Sequence, residues 1–426
     1  MRKLSTARIK TETFPISSTL LAVTIILVGA NLRPAITSVG PMLQLIRASE
    51  GLSSTALGIL GAVPLLTFAA VSPLVHLLSR RIGLNRSVFL ALLVLAAGTI
   101  VRSLPGLEIF LWLGTILLAA GIGICNVLIP AVVKQDFPDH VPVMTGAYSA
   151  IISGFAGLAS GFAVPLGVSG GWPLALGIWS GLALVGAALW AVRLRSQTPE
   201  EECDDVDETG GTNRSMWSSA VAWYVAAFTA LQSMSFYLLV TWLPSVEISN
   251  GVTASIAGWH LSGYQVIGVA AGLTAGQLIQ KQNDQRAAGS IISGFMIAAM
   301  LGFILAPDWV VLWLILAGLS SGAAFMLALT LVSVRARNAR DAERLSAMAQ
   351  GVGYLAAAVG PIGAGALYQI FENWTPVLVS VLAISSAQLI ASILAGRRRF
   401  THKQYGASDA LVEVDSPENL APHRSS

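Results

Sequence analysis

Residues 20–46 read LLAVTIILVGANLRPAITSVGPMLQLI, an apolar stretch long enough to cross a membrane, with Arg33 near its middle. A transmembrane helix needs about 20 mostly apolar residues. An isolated arginine at mid-bilayer costs about 2.5–3.5 kcal/mol on insertion scales. The stretch therefore predicts a membrane helix in which Arg33 either contacts a solute or has a specific structural partner.

Eleven further apolar runs follow, and together they predict an all-α integral membrane protein. Of its 426 residues, 54% are hydrophobic and 11% charged, with a mean hydropathy of +0.71, whereas soluble domains carry about 25% charged residues. Two cysteines, Cys125 and Cys203, give no disulfide framework. The twelve predicted spans are 18–46, 54–79, 87–104, 108–133, 143–167, 172–192, 217–245, 253–280, 287–306, 309–334, 345–371 and 375–395.

Basic residues predict the orientation of these spans. With twelve spans, 22 of the 25 lysines and arginines fall on the side of the two termini. The exceptions are Arg33, Arg47 and Arg102. Because cytoplasmic loops are enriched in Lys and Arg, we expect a multi-pass protein of the cytoplasmic membrane with both termini in the cytoplasm.

The chain divides into two related halves. We predict a six-helix half over residues 1–195, an acidic cytoplasmic linker over 196–215, a second six-helix half over 216–398 and a polar cytoplasmic tail over 399–426. Four short matches between the halves, at His76, Pro41, Met144 and Gly123, recur at offsets of 199 to 203 residues. Parallel repeats of this kind place solute sites near the midplane, between the halves.

Twelve spans, a central loop and a basic turn after span two resemble the major facilitator superfamily. The turn HLLSRRIGLNR (76–86) and the related GQLIQK (276–281) match parts of the family's cytoplasmic loop motif, with arginine at the motif's aspartate position in the first half. The resemblance implies a gating role for Arg80, Arg81, Gly83, Arg86, Gly276 and Lys281. The missing aspartate departs from the charge relay usually attributed to this loop.

Two longer stretches resemble one branch of that superfamily, the cyanate and nitroimidazole transporters. They are NLRPAITSVGPML (31–43) and TWLPSVEISNGVTASIAG (241–258). The resemblance implies a secondary transporter of a small solute, without fixing which solute.

Polar side chains within the spans are the candidates for solute binding. Arg33 shares a helical stripe with Gly29 and Thr37, and its planar guanidinium suits flat anions. The full candidate set is Arg33, Asn31, Thr37, Asn126, Gln232, Tyr237, His260, Tyr264, Gln350 and Tyr354. For Arg33 the alternative is a role in locking helices together, and for the others it is interhelical hydrogen bonding.

The leading hypothesis is a secondary transporter of a small anion or polar planar solute, with a coupling proton or counter-solute as a candidate partner. The alternative within transport is an efflux pump for amphipathic drugs. A membrane enzyme would need a nucleophile, metal or paired-carboxylate motif, and none is visible in the sequence. A channel is a further alternative. We expect no cofactor and no nucleic-acid partner, and a monomer in the lipid bilayer.

Overall fold

The apolar runs form long helices in the computed structural model, which describes residues 18–196, 216–280, 284–336 and 339–397. Fourteen α-helices occupy these residues: α1 (Ser18–Asn31), α2 (Pro34–Thr37), α3 (Val39–Glu50), α4 (Ser54–Ile82), α5 (Leu84–Arg102), α6 (Glu108–Asp136), α7 (Val141–Gly177), α8 (Trp179–Ser196), α9 (Ala220–Ser249), α10 (Ala254–Gln280), α11 (Arg286–Leu305), α12 (Val310–Arg335), α13 (Ala339–Phe371) and α14 (Thr375–Ala395). Apart from Ser196, the predicted linker and the predicted tail lie outside the described residues.

The predicted all-α membrane architecture is confirmed. Ten stretches of the described chain are long and apolar enough to cross a membrane, by length and composition. One of them, Val143–Arg195, contains two spans, which separate where Gly170 and Gly171 leave helical geometry inside α7. Gly171 has a φ of +75°, a conformation that glycine adopts without steric cost. Helix α10, with 27 residues, is long enough to cross a membrane, although it is not one of these ten stretches.

The first predicted span is interrupted rather than continuous. Helix α1 ends at Asn31, and Pro34 begins the single turn of α2. Proline has no backbone N–H, and it disfavours helical geometry at the residue before it. Arg33 accordingly has φ −124° and ψ −34°. The arginine therefore lies at a break in the helix, and residues before and after it do not form one straight stripe.

The two halves are built alike at the ends where α4 leads into α5, which we call the inner side. In the first half, Arg193 on α8 donates to Asn85 on α5 and to Asp136 on α6. In the second half, Arg335 on α12 donates to the side chain of Gln285, just before α11. It also donates to the backbone carbonyls of Ala395, the last residue of α14, and of Gly396, which follows it. Gln285 stands 200 positions after Asn85, and Arg335 stands 199 after Asp136. We call these groups the inner clamps.

The halves meet at the opposite ends, the outer side, where α3 leads into α4. A Cβ added to Gly40 would collide with the Val240 carbonyl of α9, and one added to Gly58 would collide with that of Pro361 in α13. Gln44 on α3 donates to Ser245 on α9 at 3.1 Å. Glycine lets helix backbones approach this closely. The outer side of the molecule is therefore closed by direct contact between the halves.

Toward the inner side, glycines on the helices that face the other half have open space around them. Nothing lies within 4 Å of a Cβ built on Gly146 or Gly154 of α7, or on Gly351 of α13. These three positions on α7 and α13 therefore lack the close contacts that join the halves at the outer side.

The tightest helix contact joins α10 and α12, and it yields a stability prediction. A Cβ on Gly322 would overlap the backbone carbonyl of Gly268. Because backbone atoms cannot move aside as a flexible side chain can, we expect Gly322→Ala to lower the free energy of unfolding by about 3 kcal/mol, the upper end of the usual overpacking range. Denaturant unfolding in detergent micelles measures this change.

Gly294 on α11 provides the matched control, because nothing lies within 4 Å of its added Cβ. We expect Gly294→Ala to leave stability unchanged or to raise it by up to about 1 kcal/mol, since alanine is the better helix former. Equal effects of the two substitutions would show that the α10–α12 crossing tolerates a methyl group.

Candidate functional site

Arg33 projects from the break in the first span onto aromatic rings of the second half. Its Cζ lies 5.3 Å from the centre of the Phe236 ring and 5.6 Å from that of Tyr237, both on α9. The side chain is only partly buried, and its Nη1 has no hydrogen-bond partner among the described residues. Within the described chain, none of the ion pairs involves Arg33. Its guanidinium therefore contains a buried donor, Nη1, that has no acceptor among the described residues.

Aromatic side chains from both halves pair with one another near this arginine. Phe68 on α4 meets Tyr354 on α13 edge-on, with ring centres 5.6 Å apart. Phe236 and Tyr237 form a second edge-on pair, at 5.1 Å. Tyr354 is close enough to Arg33 and Tyr237 to interact with both electrostatically. We call Arg33 together with Phe68, Phe236, Tyr237 and Tyr354 the central aromatic site.

The ring contacts of Arg33 compensate only part of its charge. A cation above an aromatic face gains about 0.5–2 kcal/mol. The ring contacts thus offset only part of the cost of holding the charge within the membrane, and they leave the guanidinium edge without an acceptor. Carboxylate, nitro or other flat oxygen-bearing groups suit that edge, because guanidinium N–H groups lie in one plane.

Thr37 and Asn31, two predicted site residues beside Arg33, make contacts within the first half. Thr37 is fully buried, and its hydroxyl donates to the Ala156 carbonyl of α7 at 3.0 Å. Asn31 donates to the carbonyls of Leu27 and of Leu182 on α8, at 2.8 Å and 3.3 Å. The structure places both at helix contacts and outside the central aromatic site, because the break at Arg33 turns that side chain toward α9.

Other predicted residues lie around the central aromatic site or apart from it. Gln232 is buried on α9, one turn before Phe236, and donates to Ser233 at 2.8 Å. Tyr264 is 1% exposed and stacks behind Phe236 at 6.3 Å, inside the core of the second half. His260 lies near the outer end of α10, where its Nδ1 is 2.7 Å from Oε2 of Glu247.

Asn126 and Gln350 are both exposed, on opposite halves. Asn126 on α6 comes three residues after Gly123, where an added Cβ would meet the Phe68 ring. Gln350 on α13 comes one turn before Tyr354 and donates to Ser346 at 2.9 Å. Because residues three or four apart share a helix face, Asn126 lies on the α6 face that meets Phe68, and Gln350 lies on the α13 face that carries Tyr354.

The predicted gating residues lie at the inner ends of α4, α5 and α10. Arg80, Arg81 and Arg86 are exposed, around Gly83, which ends α4 with a φ of +84°. Gly276 is buried where a Cβ would meet the Met326 side chain of α12. Lys281 lies outside the described residues.

Arg102 is a buried cation that the sequence alone did not single out as a site. It is 1% exposed, and it donates to the carbonyl of Ala35 on α2 at 2.6 Å and to that of Leu176 at 3.4 Å. It also lines a small cavity beside Thr115 and Tyr237, about large enough for one water molecule. Arg102 thus supports the short helix that follows the break.

Phe68 and Phe236 are the site residues that sequence reasoning missed. Phe236 could have been found, because it adjoins Tyr237, a candidate residue in the same predicted span. Phe68 carried no signal in the sequence, since its contact with Tyr354 depends on how α4 and α13 pack across the two halves. Among the described residues, no group of three or more His, Cys, Asp or Glu side chains could hold a metal ion.

Comparisons with known proteins agree with this architecture. The family model of the Major Facilitator Superfamily matches residues 20–361. The chain is 37% identical to the uncharacterized transporter YycB of Bacillus subtilis (strain 168), over 88% of this chain and 93% of that protein. It is 35% identical to the 2-nitroimidazole transporter of Escherichia coli (strain K12), over 88% and 94%. It is 29% identical to the cyanate transport protein CynX of the same organism, over 82% and 90%.

A solved structure with a similar fold is the bacterial homologue of the human lysosomal transporter Spinster, in an inward-facing and unoccupied conformation. Its TM-score is 0.76 at 15% identity, covering 91% of this chain and 99% of that one. The all-helical membrane architecture, the family model and the 35–37% identical relatives agree with one another. This chain is a membrane transporter that belongs to the major facilitator superfamily.

Proposed function

We propose that this protein is a secondary active transporter of a small anion or polar planar solute, which binds in the central aromatic site. The observation that carries the proposal is the Arg33 guanidinium, which lies over Phe236 and Tyr237 with Nη1 lacking an acceptor. Phe68 of the first half and Tyr354 of the second half bring further ring surface. The rings would hold a flat solute while Arg33 donates to its oxygens.

The names of two relatives suggest which flat solutes to test. One relative is a 2-nitroimidazole transporter and another a cyanate transport protein. A nitro group presents two oxygens in one plane, as a carboxylate does, and so matches the guanidinium fork. Cyanate carries a full negative charge that the same arginine would neutralise. We therefore propose solutes of these two kinds.

Alternating access of the two halves is the proposed mechanism. The halves touch at the outer side through Gly40, Gly58 and Gln44, and open space surrounds Gly146 and Gly351 toward the inner side. We propose that the inner side is cytoplasmic, as the basic residues of the loops predict. Breaking the outer contacts and forming new inner ones would then expose the central aromatic site to the opposite side of the membrane.

Uptake into proteoliposomes tests the proposal directly. Labelled cyanate and 2-nitroimidazole are offered separately, with formate and a lipophilic cation as competitors. We expect saturable uptake of at least one of the two solutes, competition by a flat anion, and no competition by the cation, because Arg33 repels positive charge. Competition by the cation alone would favour the efflux of amphipathic drugs and would contradict the proposed solute class.

A further inference from the structure

A buried acid and a histidine face each other where α9 leads into α10. Glu247, near the end of α9, is 2% exposed, and its Oε2 lies 2.7 Å from Nδ1 of His260 on α10. The other carboxylate oxygen, Oε1, is buried without a hydrogen-bond partner. Glu247 is the only Asp or Glu that is fully buried among the described residues.

This arrangement favours the presence of one shared proton. A buried carboxylate with one unpaired oxygen costs free energy unless its charge is balanced. A proton on His260 balances that charge and supplies the donor at Nδ1, whereas loss of the proton leaves a net negative charge away from water. The two groups therefore bind the proton as a unit. The His260 side chain is 20% exposed, which gives the proton a route to solvent.

Other ionisable groups on the helices packed around this corner do not contact the pair. The neighbours of α9 and α10 are α3, α4, α7, α12, α13 and α14. Arg47, Glu50, Asp308 and Glu372 lie at their outer ends, and each is at least partly exposed. The ionisable tyrosines toward the outer ends of α10 and α13 are Tyr264 and Tyr368. Among the described residues, neither Glu247 nor His260 has a side-chain hydrogen bond or ion pair with any of these groups. The charge balance of the pair thus depends on its own proton.

The same corner holds the outer side closed. Ser245, two residues before Glu247, accepts a hydrogen bond from Gln44 of the first half. Trp259, next to His260, packs edge-on against Phe162 of α7 at 5.3 Å, over Gly161. When these contacts separate, water reaches the corner and can solvate an ionised Glu247. The proton affinity of the pair is therefore lower in the open arrangement than in the closed one.

We propose that Glu247 and His260 form a proton-binding site, and that its occupancy stabilises closure of the outer side. Linkage requires the effect to be reciprocal: if closure raises proton affinity, then protons favour closure. Acid on the outer face should shift the protein toward the conformation seen here. This site is separate from the central aromatic site, and it responds to the medium on the outer face.

Distances between spin labels test the proposal without any solute. Nitroxides are placed at two exposed outer positions, Ser169→Cys on α7 and Asp308→Cys before α12, in a protein whose native cysteines are replaced. We expect the ratio of short to long distances to rise at least tenfold between pH 8 and pH 5. In Glu247→Gln, which is neutral at every pH, we expect short distances throughout and no pH response.

Glu50→Gln is the matched control, because it removes an acid from the outer end of α3 that does not contact the pair. This variant should keep the full pH response, and His260→Gln, a second test of the pair, should lose it. A pH response that persists in both Glu247→Gln and His260→Gln, or a wild type that does not respond, overturns the proposal.

A second experiment measures transport. It rests on the proposed function, and its result is interpreted separately from the label distances. In oriented proteoliposomes, 2-nitroimidazole or cyanate flux should depend on pH at the outer face only, and Glu247→Gln should remove that dependence. If neither solute is transported, the proposed solute class fails while the label distances still decide on the proton site. Equal dependence on pH at both faces would contradict a site that opens only to the outer medium.

Discussion

Arg33→Ala is expected to fold, to reach the membrane and to lose transport by about 30- to 3,000-fold in kcat/KM. The range follows from the cost of removing one member of a desolvated charge contact, about 2–5 kcal/mol, at about 1.4 kcal/mol per tenfold change. Folding should survive, because the guanidinium makes ring contacts and Nη1 has no hydrogen-bond partner among the described residues. Initial rates of proteoliposome uptake measure the loss.

Two further variants separate recognition from packing. Arg33→Lys keeps the positive charge but loses the planar fork, so we expect intermediate activity with a raised KM. Arg47→Ala removes an exposed arginine from α3, after the same predicted span, and should transport as the wild type does. If Arg33→Ala folds and transports at the wild-type rate, Arg33 serves to pack helices and the solute lies elsewhere.

Asp136→Ala is expected to lower the free energy of unfolding by about 3–5 kcal/mol, the usual cost of leaving a buried charge without its partner. Arg193 has a fully buried side chain, and it donates to the two Asp136 oxygens at 2.6 Å and 2.9 Å. It also contacts Asn85 at 3.1 Å and lies 4.7 Å above the Trp190 ring. Loss of the carboxylate leaves two nitrogens of Arg193 without acceptors. Denaturant unfolding in micelles measures the change.

Asp284 provides the control, because it also pairs with an arginine through two oxygens. Hydrogen bonds from Arg286 lower the pKa of Asp284 to about 2, yet the two side chains are 45% and 51% exposed. Exposed pairs contribute little, since water screens them. Asp284→Ala should therefore leave the unfolding midpoint unchanged. A comparable loss of stability in both variants would mean that burial does not determine the strength of these pairs.

The sequence predicts the architecture well, because the bilayer imposes a length and a composition on every span. Arg33 could be identified for the same reason, since a single cation in an apolar run is costly. The break at Arg33 was harder to place. Pro34 indicates a distortion, but the final direction of the side chain depends on α9 packing beside it.

Contacts between halves could not be predicted from one sequence. The pairing of Phe68 with Tyr354 joins residues from α4 and α13, and nothing local links them. Glu247 and His260 are only thirteen residues apart, but α9 and α10 must turn back on each other before their side chains meet. Arg102 is similar, because its acceptor at Ala35 exists only where the first span is broken.

The inner clamps bear on the ancestry of the molecule. An amide side chain, Asn85 or Gln285, occupies the same place in both halves, while the arginine comes from the last helix of one half and from the fourth span of the other. A duplicated gene whose copies later exchanged the donor and acceptor positions would leave this pattern. A chimaera of two first halves would inherit two clamps closed by an arginine–aspartate pair, whereas two second halves would inherit two clamps built on arginine and glutamine. Each clamp joins residues of one half only, so the two clamps could diverge without changing the contacts between the halves.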